Sequence, residues 1–123
     1  MKRDDLRAMT VDQLVELFAE IAREQDRAIA RDDNAKYSRL FWQMEDVEEE
    51  LKGREGDQRP ALLRLYTDLN AQVRLAAAKA TLAVAPEAAR RLLRNIADSQ
   101  ENPQAGDAGM SLVNLERGIF KPT

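Results

Sequence analysis

Five carboxylates crowd one short stretch of this chain, Glu45, Asp46, Glu48, Glu49 and Glu50, and clustered carboxylates are the groups that hold divalent cations or share protons. Glu45 and Glu48 stand three apart, so on a helix they point the same way. With a matching E-x-x-D pair on a second helix, that spacing holds magnesium for phosphate chemistry. No E-x-x-D occurs in the sequence. The run therefore reads as a solvated helix face.

Other reaction chemistry is thinner still. The chain has no cysteine and no histidine, which removes disulfides, thiolate zinc sites, thiol nucleophiles and imidazole acid–base catalysis. Gly106 and Gly109 lie inside an apparent helix with no Lys-Ser/Thr after them, so they do not form a phosphate-cradling loop. The expectation is a protein that is not an enzyme, with no catalytic residue, no metal ligand and no cofactor.

Contact chemistry is what remains. Trp42 is the only tryptophan, and at about 100° per residue it falls opposite the apolar stripe of its helix, among Ser38, Arg39, Glu45, Asp46 and Glu49. Two readings follow. Either Trp42 anchors a protein partner, with Glu45, Asp46 and Glu49 steering a basic surface toward it, or the chain covers the indole itself with Tyr66, the Ile119-Phe120 tail or the N-terminal segment. The alternative surface is a basic stripe, Arg90, Arg91 and Arg94, which Arg59, Arg64 or Lys79 would extend toward nucleic acid. Against that alternative stand the net charge of -3 and the absence of interleaved aromatics for base stacking.

The elements that must position these residues are helical. One third of the residues are charged, 44% are hydrophobic, and glycine and proline are few, a composition that favours helices over β structure. Residues 1–56 carry ten Lys/Arg against fifteen Asp/Glu, and residues 57–123 carry nine against seven. The two halves are thus oppositely charged, neither strongly enough to require a nucleic acid or a membrane. No apolar core follows the first residues and no apolar run approaches about eighteen residues, so the expected address is the cytoplasm, with neither signal peptide nor membrane span.

Thr10-Val11-Asp12-Gln13 has the form of a capping box and opens a helix to about Ile29. Its apolar stripe is Leu14, Phe18 and Ile21, while Glu16, Glu20 and Glu24 climb the solvent side near Arg23 and Arg27. A second helix spans about Asn34 to Lys52, ended by Gly53 and Gly56, with Tyr37, Leu40, Phe41, Met44, Val47 and Leu51 inward. The two should form an antiparallel hairpin. Asp57 and Pro60 open a short apolar helix. A central helix from about Asn70 to Ala85 has apolar groups on both sides and must be covered on both. Pro86 starts the next helix, to about Ile96, and Pro103 a last one to about Arg117, after which Ile119 and Phe120 should fold back onto the body.

Within this order, residues 68–96 resemble the HEAT-like repeats of phycobilisome lyases. Asp68, Val73, Arg74, Ala77, Ala80, Pro86, Ala88 and Leu92 hold that unit's places, with Thr81 and Leu82 departing from it. The whole chain, including its Gly118-to-Thr123 ending, also resembles a small bacterial HEAT-like family of unknown function. The resemblance implies an all-α fold, a short right-handed α-solenoid of about six helices, in a single domain over 1–123. Residues 10–56 would be the N-terminal hairpin, and 57–123 the HEAT-like core and tail. It gives Asp68 and Arg74 structural places, a carboxylate at a helix start and a guanidinium pairing with an adjacent turn. The expected function is a non-enzymatic interaction module with a protein partner, self-association being left open.

Overall fold

The computed structural model describes residues 3–123, all helix, turn and loop, with no strand among the described residues. Among the described residues six α-helices and one 3₁₀ helix follow one another: α1 Arg3–Arg7, α2 Val11–Ala30, α3 Asn34–Gly53, the 3₁₀ helix Arg59–Thr67, α4 Ala71–Ala80, α5 Pro86–Ala97 and α6 Gln104–Glu116. The chain divides into two compact units, Met1–Ala61 and Leu62–Thr123. No helix among the described residues is long and apolar enough to cross a membrane.

In the first unit the capping box forms as the sequence indicates. The Gln13 amide donates to Thr10 Oγ1 at 3.1 Å and the Thr10 amide to Gln13 Oε1 at 2.8 Å, satisfying two N–H groups that a helix start otherwise leaves free. Asp32, at φ 56°, turns the chain, and Asp33 caps α3 by accepting the Lys36 amide at 3.0 Å. The three-residue connection brings α2 against α3, burying Leu14, Phe18 and Ile21 from one helix and Leu40, Met44, Val47 and Leu51 from the other.

Helix α1 has no periodic signal in the sequence, because five residues cannot show one. It is held by its one buried side chain, Leu6, and by Arg54 at the end of α3. Arg54 Nη2 donates to the Met9 carbonyl at 2.7 Å and the Leu6 carbonyl at 3.1 Å, while its Nε donates to Glu50 at 2.9 Å. One guanidinium thus satisfies carbonyls that a short helix cannot satisfy for itself.

In the second unit α4, α5 and α6 pack on one another. Leu75, Ala78 and Leu82 meet Ala89, Leu93 and Ile96, with Ala108 and Leu115 of α6 completing the cluster. Helix α4 is buried nearly all round: Val73, Ala76, Ala77 and Ala80 on one side, Leu75 and Ala78 on the other.

That helix ends five residues before the sequence pattern suggests. Pro86 disfavours a helical Ala85, which adopts φ -144° and ψ 61°, so the turn needs room upstream. Thr81 supplies the stop, its hydroxyl donating to the Ala77 carbonyl at 2.8 Å and meeting the Tyr66 hydroxyl. The short helix expected after Asp57 is a 3₁₀ helix, and α6 starts one residue after Pro103.

The C-terminal expectation also needs correction. Gly118, at φ 68°, closes α6, and the Ile119 and Phe120 amides both donate to the Asn114 carbonyl, yet the two side chains stay 68% and 49% exposed. Capping of the helix end fixes this backbone without burying its apolar groups.

Candidate functional site

Helix α3 sets the geometry around Trp42. Its buried stripe turns Leu40, Met44, Val47 and Leu51 inward, which at about 100° per residue leaves Trp42, Glu45, Asp46 and Glu49 on the far side. Trp42 is 66% exposed.

Phe41 is not where the sequence pattern puts it. Assigned to the inward stripe, it is instead 42% exposed and stands edge-on to Trp42, ring centroids 5.2 Å apart and planes at 83°. It occupies the margin of an apolar stripe whose centre runs through Met44 and Leu51, and the packed surface is too narrow to reach it. The site therefore holds an aromatic pair, of which sequence reasoning found one member.

The acids below the pair are crowded. Burial, then the negative charges of Glu49 and Asp46, holds the Glu45 carboxyl above its ordinary range. Glu48, on the flank, is pushed up to about 7 by burial and by Glu45, with Arg59 opposing. Asp46 lies 3.9 Å from Arg3 of α1, both side chains being about half exposed, a pair that solvent screens heavily. Among the described residues no group of three or more acidic side chains is disposed to hold a metal ion.

The basic stripe on α5 is real but small. Arg90, Arg91 and Arg94 are exposed on the side opposite Ala89, Leu93 and Ile96, and Glu87 and Asp98 share that side. Of the residues considered as extensions, Arg59 is buried at 6% exposure and forks onto Asp57 through Nε at 3.0 Å and Nη2 at 2.7 Å. Its hydrogen bonds hold the Asp57 carboxyl below its usual range. Lys79 is paired with Asp107 at 3.0 Å, and Arg64 is exposed on the 3₁₀ helix.

Asp68 and Arg74 meet at the entry to α4. Asp68 Oδ1 accepts the Asn70 amide at 2.9 Å, while Asn70, the actual cap, accepts the amides of Gln72 and Val73. Arg74 Nη1 donates to the Asp68 and Leu69 carbonyls and its Nη2 to Glu101 at 2.9 Å, tying this loop to the one before α6. Leu69 is 97% exposed at the tip of that loop.

Comparison with known proteins replaces the HEAT-like assignment. Residues 12–116 match the model of a family described as a domain of unknown function, DUF2019, and the chain belongs to that family. The chain is also similar to the protein RPA1889 from Rhodopseudomonas palustris CGA009, known from its crystal structure: 52% identical, covering 96% of this chain and 98% of that one, TM-score 0.93. None of the curated proteins matches. Neither the HEAT-like repeat read in residues 68–96 nor the whole-chain likeness to a HEAT-like family is supported: the family matched over residues 12–116 is DUF2019, and an alanine-rich helical pair with Asp and Val-Arg in register is too short a pattern to outweigh a match over most of the chain.

Proposed function

We propose that this DUF2019 member is a non-enzymatic interaction module that docks a protein partner through the outer face of α3, with Trp42 as anchor and Glu45, Asp46 and Glu49 as steering charges. One observation carries the reading: the single tryptophan and its neighbour Phe41 are both open to solvent, beside a helix face on which Glu45, Asp46 and Glu49 outnumber the one base, Arg39. Exposed aromatic side chains clustered in this way are the residues that dominate binding energy at interfaces. The surrounding acids favour a basic partner and speed encounter. A cytoplasmic setting and a short α-solenoid course belong to the same reading, the latter supported by the packing of α4 on α5 and α5 on α6 in chain order.

Affinity capture from the source cell, run in parallel with Trp42→Glu, tests it. The expected result is a partner held by the native chain and lost from the variant. Recovery of the same partners by both forms refutes the site.

A second reading has its own observation. Arg90, Arg91 and Arg94 are exposed and enter no ion pair among the described residues, which suits phosphate contacts. A salt-sensitive mobility shift with DNA or RNA, abolished by charge reversal at all three, would favour nucleic acid over protein docking.

A further inference from the structure

Building on the docking role proposed above, we infer that the group received by α3 is an arginine side chain, presented by a basic segment of the partner and seated in the corner between Phe41 and Trp42. The two rings stand at 83° with centroids 5.2 Å apart, so they form two walls meeting nearly at a right angle. At 42% and 66% exposure both walls are open to a ligand.

A flat cation fits such a corner in a way that an apolar side chain does not use. A cation within about 6 Å of a ring centroid is attracted by the negative face of the π system, most strongly for indole. A guanidinium is planar and weakly hydrated, so it can stack on one wall while its N–H edge faces the other. An ammonium is compact and strongly hydrated, and gains less from the same surface.

The rim supplies the counter-charge. Glu45, Asp46 and Glu49 follow Trp42 at three, four and seven residues, the spacings that share a helix face. Among the described residues neither Glu45 nor Glu49 is held in an ion pair, and Asp46 has only the long, solvated contact with Arg3. Arg39 shares the face, which still carries three acids against one base. Burial first, and then repulsion from Glu49 and Asp46, raises the Glu45 carboxyl, and a cation arriving among these groups relieves the repulsion. Carboxylates also match the parallel N–H fork of arginine, which adds direction to the attraction.

The test uses the full chain and three tryptophan-free peptides of one length, acetylated and amidated, that differ only in carrying arginine, lysine or citrulline at the same positions. Citrulline keeps the shape of arginine without its charge. Because Trp42 is the only tryptophan, its emission reports on the corner directly. The arginine peptide should give a saturable change, several-fold tighter than lysine and at least tenfold tighter than citrulline. Phe41→Leu, and separately Glu45→Gln with Glu49→Gln, should each weaken the arginine peptide several-fold while leaving the helical circular dichroism unchanged and the chain folded at the assay temperature.

Equal binding of arginine and citrulline overturns the inference, as does equal binding of arginine and lysine with Phe41→Leu silent, or no saturable response to any peptide. If the peptides fail while capture still yields a partner dependent on Trp42, the docking role stands and the arginine assignment falls. If both fail, both readings fall.

Discussion

Gln104 donates from Nε2 to Oε1 of Gln72 at 3.0 Å, and both side chains are buried. The bond joins the first turn of α6 to the first turn of α4 inside the second unit. Its net contribution is modest while both partners are present, but removing one takes a hydrogen bond from a desolvated polar group. Gln104→Leu is therefore expected to cost about 1–3 kcal/mol in urea unfolding. Combining it with Gln72→Leu should cost less than the two separate losses added together. Strict additivity in that double-mutant cycle would show that the pair is not coupled.

Glu48 gives the fold a pH dependence of defined sign. Burial, with Glu45 and Glu49 adding and Arg59 and Lys52 opposing, raises its carboxyl from 4.5 to about 7. The folded state thus favours the protonated form, and this contribution to stability is complete below pH 4.5 and lost as pH rises toward 7. Glu48→Gln removes the titration, so the variant should gain on the native chain over that interval, by at most about 3 kcal/mol at pH 8. Denaturation midpoints of both proteins at pH 4.5, 6 and 8 measure the gain; a difference that stays constant across the series would contradict the assignment.

Features written in neighbouring residues were legible before the fold was known. The Thr10 and Gln13 capping box and Pro86 at the start of α5 are local devices, and each forms where the sequence places it. The apolar stripe of α2 was equally plain. Features that depend on distant parts of the chain were not. Helix α1 is fixed by Arg54, more than forty residues away, and the burial of Gln25, Gln72 and Gln104 contradicts their polarity until their partners are in place. At the candidate site Trp42 stood out because it broke a pattern, whereas Phe41 escaped because it fitted one. The tail misled for a related reason, since the apolar character of Ile119 and Phe120 says nothing about whether a surface is available to cover them.

Arg54 predicts a local effect distinct from a global one. Its guanidinium gathers the Leu6 and Met9 carbonyls and the Glu50 carboxylate, and hydrogen bonds to a charged group contribute about 1.5–3 kcal/mol in net stability. Arg54→Met keeps much of the side chain's volume and removes every one of these bonds. Amides following α1 should then exchange with solvent faster while those in the middle of α2 and α3 keep their protection. Uniform loss of protection across all three helices would mean that Arg54 supports the whole hairpin instead of docking its first turn.

Trp42 predicts that an aromatic residue can be removed from this fold at almost no cost. At 66% exposure it makes few contacts that folding must supply, and substitutions at such surfaces usually change stability by less than about 0.5 kcal/mol. Leu93, fully buried in the α4–α5–α6 cluster, is the contrast, where truncation to alanine should cost about 2–5 kcal/mol. The emission of the native chain should be that of a solvated indole. The acidic rim adds a finer expectation, because iodide is repelled by Glu45, Asp46 and Glu49 while caesium is attracted, so caesium should quench more efficiently relative to a free indole standard, and the difference should shrink as salt rises. A blue-shifted emission that neither ion quenches, together with a Trp42→Ala loss comparable to that of Leu93→Ala, would place the indole in the core and remove the docking site.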